Sequence, residues 1–420
     1  IYTLLMLVVV RIGTQLPIPG VNGNYFSEWF SGNSGSAFGF FDAITGGSFE
    51  KMSVFALNIT PYITSSIIIQ LLTIAIPKLE ELQKDGEEGR KKMTAITRYL
   101  TVALALMESL AMAIGFGKSG LLLEYNALNI ITAVVTLTAG STVIMWIGER
   151  ITENGVGNGI SIVLTINIIS RIPQDLTLLF EQFVKGKEIA FQVLNLAIIV
   201  AIIIAVTVLT VTLQGAERRI PVQYSRKVQG RKQIGGQSSY IPLKVNTAGV
   251  IPIIFAQSLF MFPLIIMQLL GKSGGNGIGG TILKMLNQSN WCDFNEPIYS
   301  IGLIVYIVLV IAFAYFYTSI TFNPLEIADN MKKQGGFIPG IRPGKPTSDY
   351  LTKILNYIIF IGAVGLVIVA VIPIFFEGAF NASISFGGTS LIIIVGVIIE
   401  TLKQIESRML VRNYKGFLND

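Results

Sequence analysis

Long uninterrupted apolar runs, rather than alternation or an amphipathic stripe, organise this chain. Windows of about 20 residues without a charge occur at 193–213, 301–322 and 354–376, and a helix of about that length crosses the roughly 30 Å hydrocarbon core of a bilayer. Strands of a membrane barrel would instead alternate over segments of about ten residues. Scanning for such windows predicts ten spans, at 1–12, 56–76, 99–117, 129–147, 159–173, 193–213, 248–270, 301–322, 354–376 and 388–407. The first opens inside its apolar run at Ile1, which implies that part of the native N-terminus precedes it. The fifth and tenth are short or carry glycine and polar residues, as helices facing protein or water do.

Composition agrees with this class: 52% of residues are apolar and 13% charged, a balance far from that of soluble domains. A single cysteine, Cys292, and the absence of histidine exclude an intrachain disulfide and leave no zinc site, so redox, metal and cofactor chemistry are not expected. Of the 31 Lys and Arg residues, 23 fall in 78–98, 148–158, 214–247, 323–353 and 403–420, all on one side of the predicted topology. That loading predicts the basic side, with both termini, in the cytoplasm. Ten spans divide near residue 185 into 1–185 and 186–420, and because five is odd a second half built like the first would sit upside down. The expected fold is therefore an all-α polytopic membrane protein of two inverted five-helix halves.

Three loops are candidates for function. Segment 214–247, with Arg218, Arg219, Arg226, Lys227, Arg231 and Lys232, holds seven basic residues against one acid; it reads either as juxtamembrane topology charge or as a surface for a polyanion, an acidic protein or anionic lipid. In 323–353, Asn323 can cap a helix that starts at Pro324, carries acids in its first turn and ends on Lys332 and Lys333. A loop fixed by Pro and Gly then presents Arg342, as a connector or as a contact. Between the first two spans, the glycine-rich segment ending in 40–51 is apolar enough either to fold as an external cap or to insert back into the bundle.

Several of these segments carry longer signatures. Arg11-Ile12-Gly13 with Pro17-Ile18-Pro19-Gly20, Gly155-Val156-Gly157-Asn158-Gly159-Ile160-Ser161, Pro242-Leu243-Lys244-Val245-Asn246, Gly249-Val250-Ile251-Pro252, the helix 323–333, the loop 337–344 and Phe386-Gly387-Gly388-Thr389-Ser390-Leu391 follow one another from the first span to the last. In that order they resemble the SecY family, the channel-forming subunit of the bacterial Sec protein translocon.

The resemblance implies a protein-conducting channel in the bacterial cytoplasmic membrane. It would translocate unfolded polypeptides and release hydrophobic segments sideways into lipid. Two inverted halves would form an hourglass sealed at its waist by Ile59, Ile63, Leu164, Ile168, Ile254 and Ile393, and leucine at 164 departs mildly from an all-isoleucine ring. Independently of the family, Ile59 with Ile63 and Leu164 with Ile168 are i, i+4 pairs that share a helix face. A plug over about 41–55 would include Phe41, Ile44, Gly46, Gly47 and Phe49. Polar residues Asn58, Thr60, Thr64, Ser65, Gln70, Gln257 and Ser258 resemble a lateral gate; in an ordinary bundle they would be interhelical hydrogen bonds. The basic loops and Arg342 would dock the ribosome or the SecA motor ATPase. Other implied partners are SecE and SecG, completing a SecYEG heterotrimer, along with signal peptides, the translocating polypeptides themselves and anionic lipids. A secondary transporter is the alternative of a different class, because inverted repeats suit one equally well. Glu108 and Glu400 are the only acidic residues inside the predicted spans apart from Glu406 at the very end of the last, however, which leaves little to couple ions. An enzyme is not expected, since no catalytic constellation is evident.

Overall fold

Each of the ten apolar windows is occupied by a helix in the computed structural model, which describes residues 1–23, 42, 44–185, 189–224, 227–229, 232–234, 238–269, 278–287, 290–292, 297–380 and 388–416. The first half contributes α1 (Tyr2–Gly13), α2 (Thr60–Ala75), the short α3 (Pro77–Lys84), α4 (Gly86–Phe116), α5 (Ala127–Asn154) and α6 (Gly159–Phe183). The second contributes α7 (Ile189–Gly215), α8 (Ile251–Leu269), the short α9 (Ile278–Leu286), α10 (Ile301–Thr321), α11 (Pro324–Lys333), α12 (Lys345–Phe380) and α13 (Gly388–Gly416). Among the described residues, six helices are each long and apolar enough to cross a membrane. The α2–α3 pair adds a seventh candidate, bent by 111° at its break, where Ile76 precedes Pro77 and leaves the helical region.

Two expected span boundaries need correction. The second span was expected from 56, but residues 51–59 form turns and the helix starts at Thr60, with Pro61 in its first turn and Asn58 in the left-handed region at φ 49°. The fifth was expected to stop at 173, whereas α6 runs through Pro173 to Phe183 and so takes Asp175 into a span; a proline removes one backbone donor without ending a helix that its neighbours hold. The membrane-spanning fold is all-α as expected, and small sheets are added outside the spans. The 214–247 loop contains β1 (Glu217–Tyr224), β2 (Lys227–Gln229), β3 (Lys232–Ile234) and β4 (Ser238–Lys244), and β1 lies between β4 and β5 (Gly336–Phe337).

That sheet follows from side-chain alternation. Ile220 and Val222 of β1 and Leu243 of β4 point inward, onto Met331 of α11, Ile338, and Leu351 and Ile358 of α12. Arg219 points outward, its guanidinium 4.9 Å from the Tyr240 ring across the antiparallel ladder. A hairpin that would be marginal alone is thereby fixed to helices by one apolar face.

Each half has a core of its own. Ile18, Phe49, Met52, Leu57, Ala105 and Leu137 form a cluster drawn entirely from the first half. Ile253, Phe260, Trp291, Tyr306, Val310, Leu366 and Ile392 form one drawn entirely from the second. Contacts of α6 with α13, α6 with α7, and α4 with α8 join the two.

Candidate functional site

One hydrophobic cluster belongs to both halves, and it lies at their seam. Val10 of α1, Ile44 and Phe55 from the loop before α2, Ile59, Ile144 of α5, Leu164 and Ile168 of α6, and Ile393 and Ile394 of α13 are all buried within it, and Ile63 packs against it. Five of the six expected ring positions thus converge on one apolar knot. The i, i+4 spacings explain the local part: Ile59 precedes the first residue of α2 and its carbonyl accepts from Ile63 N–H at 3.1 Å, and Ile168 follows Leu164 by one turn of α6. The sixth position, Ile254 of α8, is only partly buried and stands on the wall of a cleft that Ile63, Leu164 and Ile393 also line. A knot lined by hydrocarbon alone offers an ion nothing to replace its hydration.

Beneath the knot, the segment before α2 is folded into turns and held from two sides. Its backbone pairs with the chain after α1, Ile18 N–H donating to Met52 (3.2 Å) and Val54 N–H to Leu16 (2.8 Å). Its side chains meet α6 in a largely buried ionic cluster, where Arg171 pairs with Asp42 and lies 3.4 Å from Glu50 and 3.9 Å from Asp175. Asp42 is fully buried, and its other carboxylate oxygen accepts from Glu50 N–H at 2.8 Å. Gly46, at φ 69°, lies so close to α6 that a Cβ there would sit 2.8 Å from the Asn167 carbonyl oxygen. Of the expected plug residues, Ile44 lies in the seam cluster, Phe49 in the first-half core, and Gly46 and Gly47 in the turns between them. Phe41 lies outside the described residues.

The expected gate residues do not share one surface. Asn58 is off the helix and fully buried, its side-chain amide donating to the Ile44 carbonyl at 3.4 Å, while its backbone carbonyl accepts from the Ser141 hydroxyl at 3.0 Å. Thr64 and Ser65 return their hydroxyls to the α2 carbonyls of Thr60 and Pro61, at 3.1 and 2.7 Å, and Ser65 is fully buried. Thr60 is half-buried and its hydroxyl lacks a hydrogen-bond partner among the described residues, as does the side-chain carbonyl oxygen of the buried Gln257. Ser258 is exposed on α8. Gln70 lines the cleft, together with Ser66 and Tyr62, which the sequence did not single out.

That cleft, of about 760 Å³, separates α2 from α8 and is also walled by α13 and by the chain leading into α6. Lys244, Glu400 and Lys403 are its charged lining residues, and Lys403 pairs with Glu217 at 3.3 Å.

On the same side of the molecule as the sheet, Arg218, Arg219 and Arg342 are exposed. Asn323 caps α11 as expected, accepting from the backbone of Leu325 and Glu326 at 3.2 and 3.4 Å. The loop beyond is shaped by left-handed Gly335, Gly340 and Gly344, and the Arg342 carbonyl accepts from the Thr347 hydroxyl at 2.8 Å. Lys227 and Lys232 lie on the paired strands β2 and β3. Arg226 and Arg231 lie outside the described residues.

The Arg171 ionic cluster and, Gln70 apart, the roles of the amide groups around the cleft were not legible in the sequence. Arg171 with Asp175, an i, i+4 ion pair at the end of an apolar window, was the available signal for the first.

Comparison with known proteins is consistent along the whole chain. The SecY family model matches residues 53–402. The chain is 42% identical to the protein translocase subunit SecY of Halalkalibacterium halodurans over 425 residues, covering all of this chain and 96% of that one. It is 44% identical to the Streptomyces scabiei counterpart over 434 residues, with the same coverage. Among solved structures, a protein-conducting channel superposes with a TM-score of 0.63 at 19% identity, over 97% of this chain and 91% of that one. Sec61 from the canine ribosome-channel complex gives 0.62 at 19% identity with the same coverage.

Proposed function

The chain belongs to the SecY family, and from that membership we infer that it forms the channel through which unfolded polypeptide crosses a membrane, and from which apolar segments leave sideways into lipid. It is a channel subunit, not an enzyme. The observation that carries this reading is the seam itself: aliphatic side chains from both halves meet in one cluster, beside a cleft that opens between α2 and α8.

Ile59, Ile63, Leu164, Ile168, Ile254 and Ile393 act as the constriction. Branched hydrocarbon there yields around a moving peptide yet denies ions a substitute for water. The segment 41–55 is the plug, held under the ring by Asp42 and Arg171. The α2–α8 cleft is the lateral gate, and Gln70 and Ser66 supply polar groups along it. The two halves, 1–185 and 186–420, move apart about the seam.

The basic side faces the cytoplasm of a bacterium, with both termini there, in keeping with the loading of Lys and Arg. The basic hairpin 214–247 and the Arg342 loop are the docking surface for a ribosome or the SecA motor, and the canine relative solved in a ribosome-channel complex supports the first of these. Ribosomal RNA is a polyanion, so such contacts weaken as salt rises. SecE and SecG complete the assembly, and anionic lipids surround it.

The test is a stalled secretory chain. Cysteines at positions 63 and 254, in a background lacking Cys292, are expected to crosslink to it within the assembled translocon. Labelling confined to outward positions such as Ile169 or Leu259, which are 38% and 54% exposed, contradicts the reading.

A further inference from the structure

Five carboxamide side chains line the cleft above the aliphatic knot, and they come from five different elements. Gln70 stands on α2, Asn158 at the start of α6, Gln214 near the end of α7, Asn246 between β4 and α8, and Gln404 on α13. Two of them carry buried N–H groups with no hydrogen-bond partner among the described residues, Gln214 Nε2 and Asn246 Nδ2. Asn246 is only 7% exposed, so its amide is desolvated as well as unpaired. Gln214 packs against Gly396 of α13, with its amide nitrogen 3.7 Å from where a Cβ would stand. Burying a polar group without a partner is unfavourable; both nitrogens are shielded in the wall of the cleft, so a side-chain rotation toward an occupant that supplies acceptors would relieve them.

The chemistry of the lining narrows that occupant. A site selective for a charged ligand would place opposite charge against it, but only Lys244, Glu400 and Lys403 among the lining residues are charged, with both signs present. A carboxamide donates and accepts at once, the same pair of functions that every peptide bond presents. An extended chain offers a backbone carbonyl and N–H about every 3.3 Å, whatever its side chains.

We propose that Gln70, Asn158, Gln214, Asn246 and Gln404 form a collar that hydrogen-bonds the peptide backbone of an extended polypeptide as it enters the constriction. The inference rests on the channel reading and adds to it what is recognised. The collar reads peptide bonds, so substrates of unlike sequence are held equally. Asn158 keeps one function for the fold, its carbonyl oxygen accepting from Ile160 and Ser161 N–H at 3.1 and 3.4 Å, which leaves its amide nitrogen for the chain.

The test uses the full translocon in proteoliposomes, with three secretory substrates of different net charge. Asn246→Leu and Gln214→Leu are each expected to slow translocation about fivefold, the scale of one net hydrogen bond, and by the same factor for all three substrates. Asn246→Gln, which keeps the carboxamide, is expected to stay within about twofold of the parent. A photoreactive side chain at 214 or 246 should label a stalled chain at many points along its length. Unchanged rates, or losses that follow substrate charge, overturn the collar. So does labelling from 63 and 254 without labelling from 214 and 246, an outcome that leaves the channel reading intact. Absence of labelling from all four positions removes the channel reading itself, and the collar with it. Should Asn246→Leu not accumulate in the membrane, Gln214→Leu and the labelling pattern decide.

Discussion

On one side of the aliphatic knot, the described residues between 42 and 58 are tied to the chain after α1 and to α6 by backbone hydrogen bonds and by the ion pair of Arg171 with Asp42. On the other, α2 and α8 stand apart around a cleft of about 760 Å³, in whose wall the buried Gln214 and Asn246 amide nitrogens have no hydrogen-bond partner among the described residues. Unpaired polar atoms occur on the tied side too, at Asn58 and Asn167, but those side chains are fully enclosed. The difference teaches how one seam can both seal and receive. On the proposed reading, strong, specific contacts lock the plug side, while hydrogen-bonding capacity is left unused in the wall of the side where a chain would arrive.

Breaking the receiving side from outside gives the largest expected effect. Arg342 is exposed beyond the cleft, so Arg342→Glu should abolish motor-driven secretion in a vesicle assay while leaving membrane insertion of the channel and its resting ion conductance unchanged. Normal secretion by this variant would remove the docking role.

Breaking the tied side should do the reverse. Arg171→Leu leaves the carboxylate of Asp42 buried without its cation, and removing one partner of a buried pair costs about 3–5 kcal/mol. Resting conductance in planar bilayers is expected to rise at least tenfold, and deletion of 41–52 should reproduce the leak. A double variant, Arg171→Leu with Asp42→Leu, should leak less than Arg171→Leu alone, because no unpaired charge remains. Equal conductance in all of these would mean that the ion pair does not hold the plug.

Much of the fold was legible because the information is local. Every apolar window became a helix, and the Asn323 cap with Pro324 behind it appears where the residues place it. The sheet was hidden because β1 contains Pro221 and two arginines, and its alternation matters only once α11 and α12 cover Ile220 and Val222. The Arg171 cluster was hidden for a different reason. Its partner Asp42 is 129 positions away in sequence, and no spacing rule reaches that far. Asn58 reads as part of the gate because it adjoins α2, yet its left-handed backbone at φ 49° turns it into the first half instead.

The smallest expected effect sharpens that last point. The Thr64 hydroxyl bonds within its own helix, so Thr64→Val should alter secretion and thermal stability little, by about 0.5 kcal/mol or less. A large secretion defect would instead return Thr64 to the gate.

The claim that the buried face of α6 borders the conduit is tested most directly by scanning one helix with a photoreactive residue against a stalled translocating chain. Leu164 and Ile168 are 5% and 2% exposed and share the seam, whereas Ile169 and Leu176 are 38% and 42% exposed on the same helix. Labelling from 164 and 168 with none from 169 and 176 is the result the account predicts. The opposite pattern, with the chain touching only the outward face of α6, would contradict it.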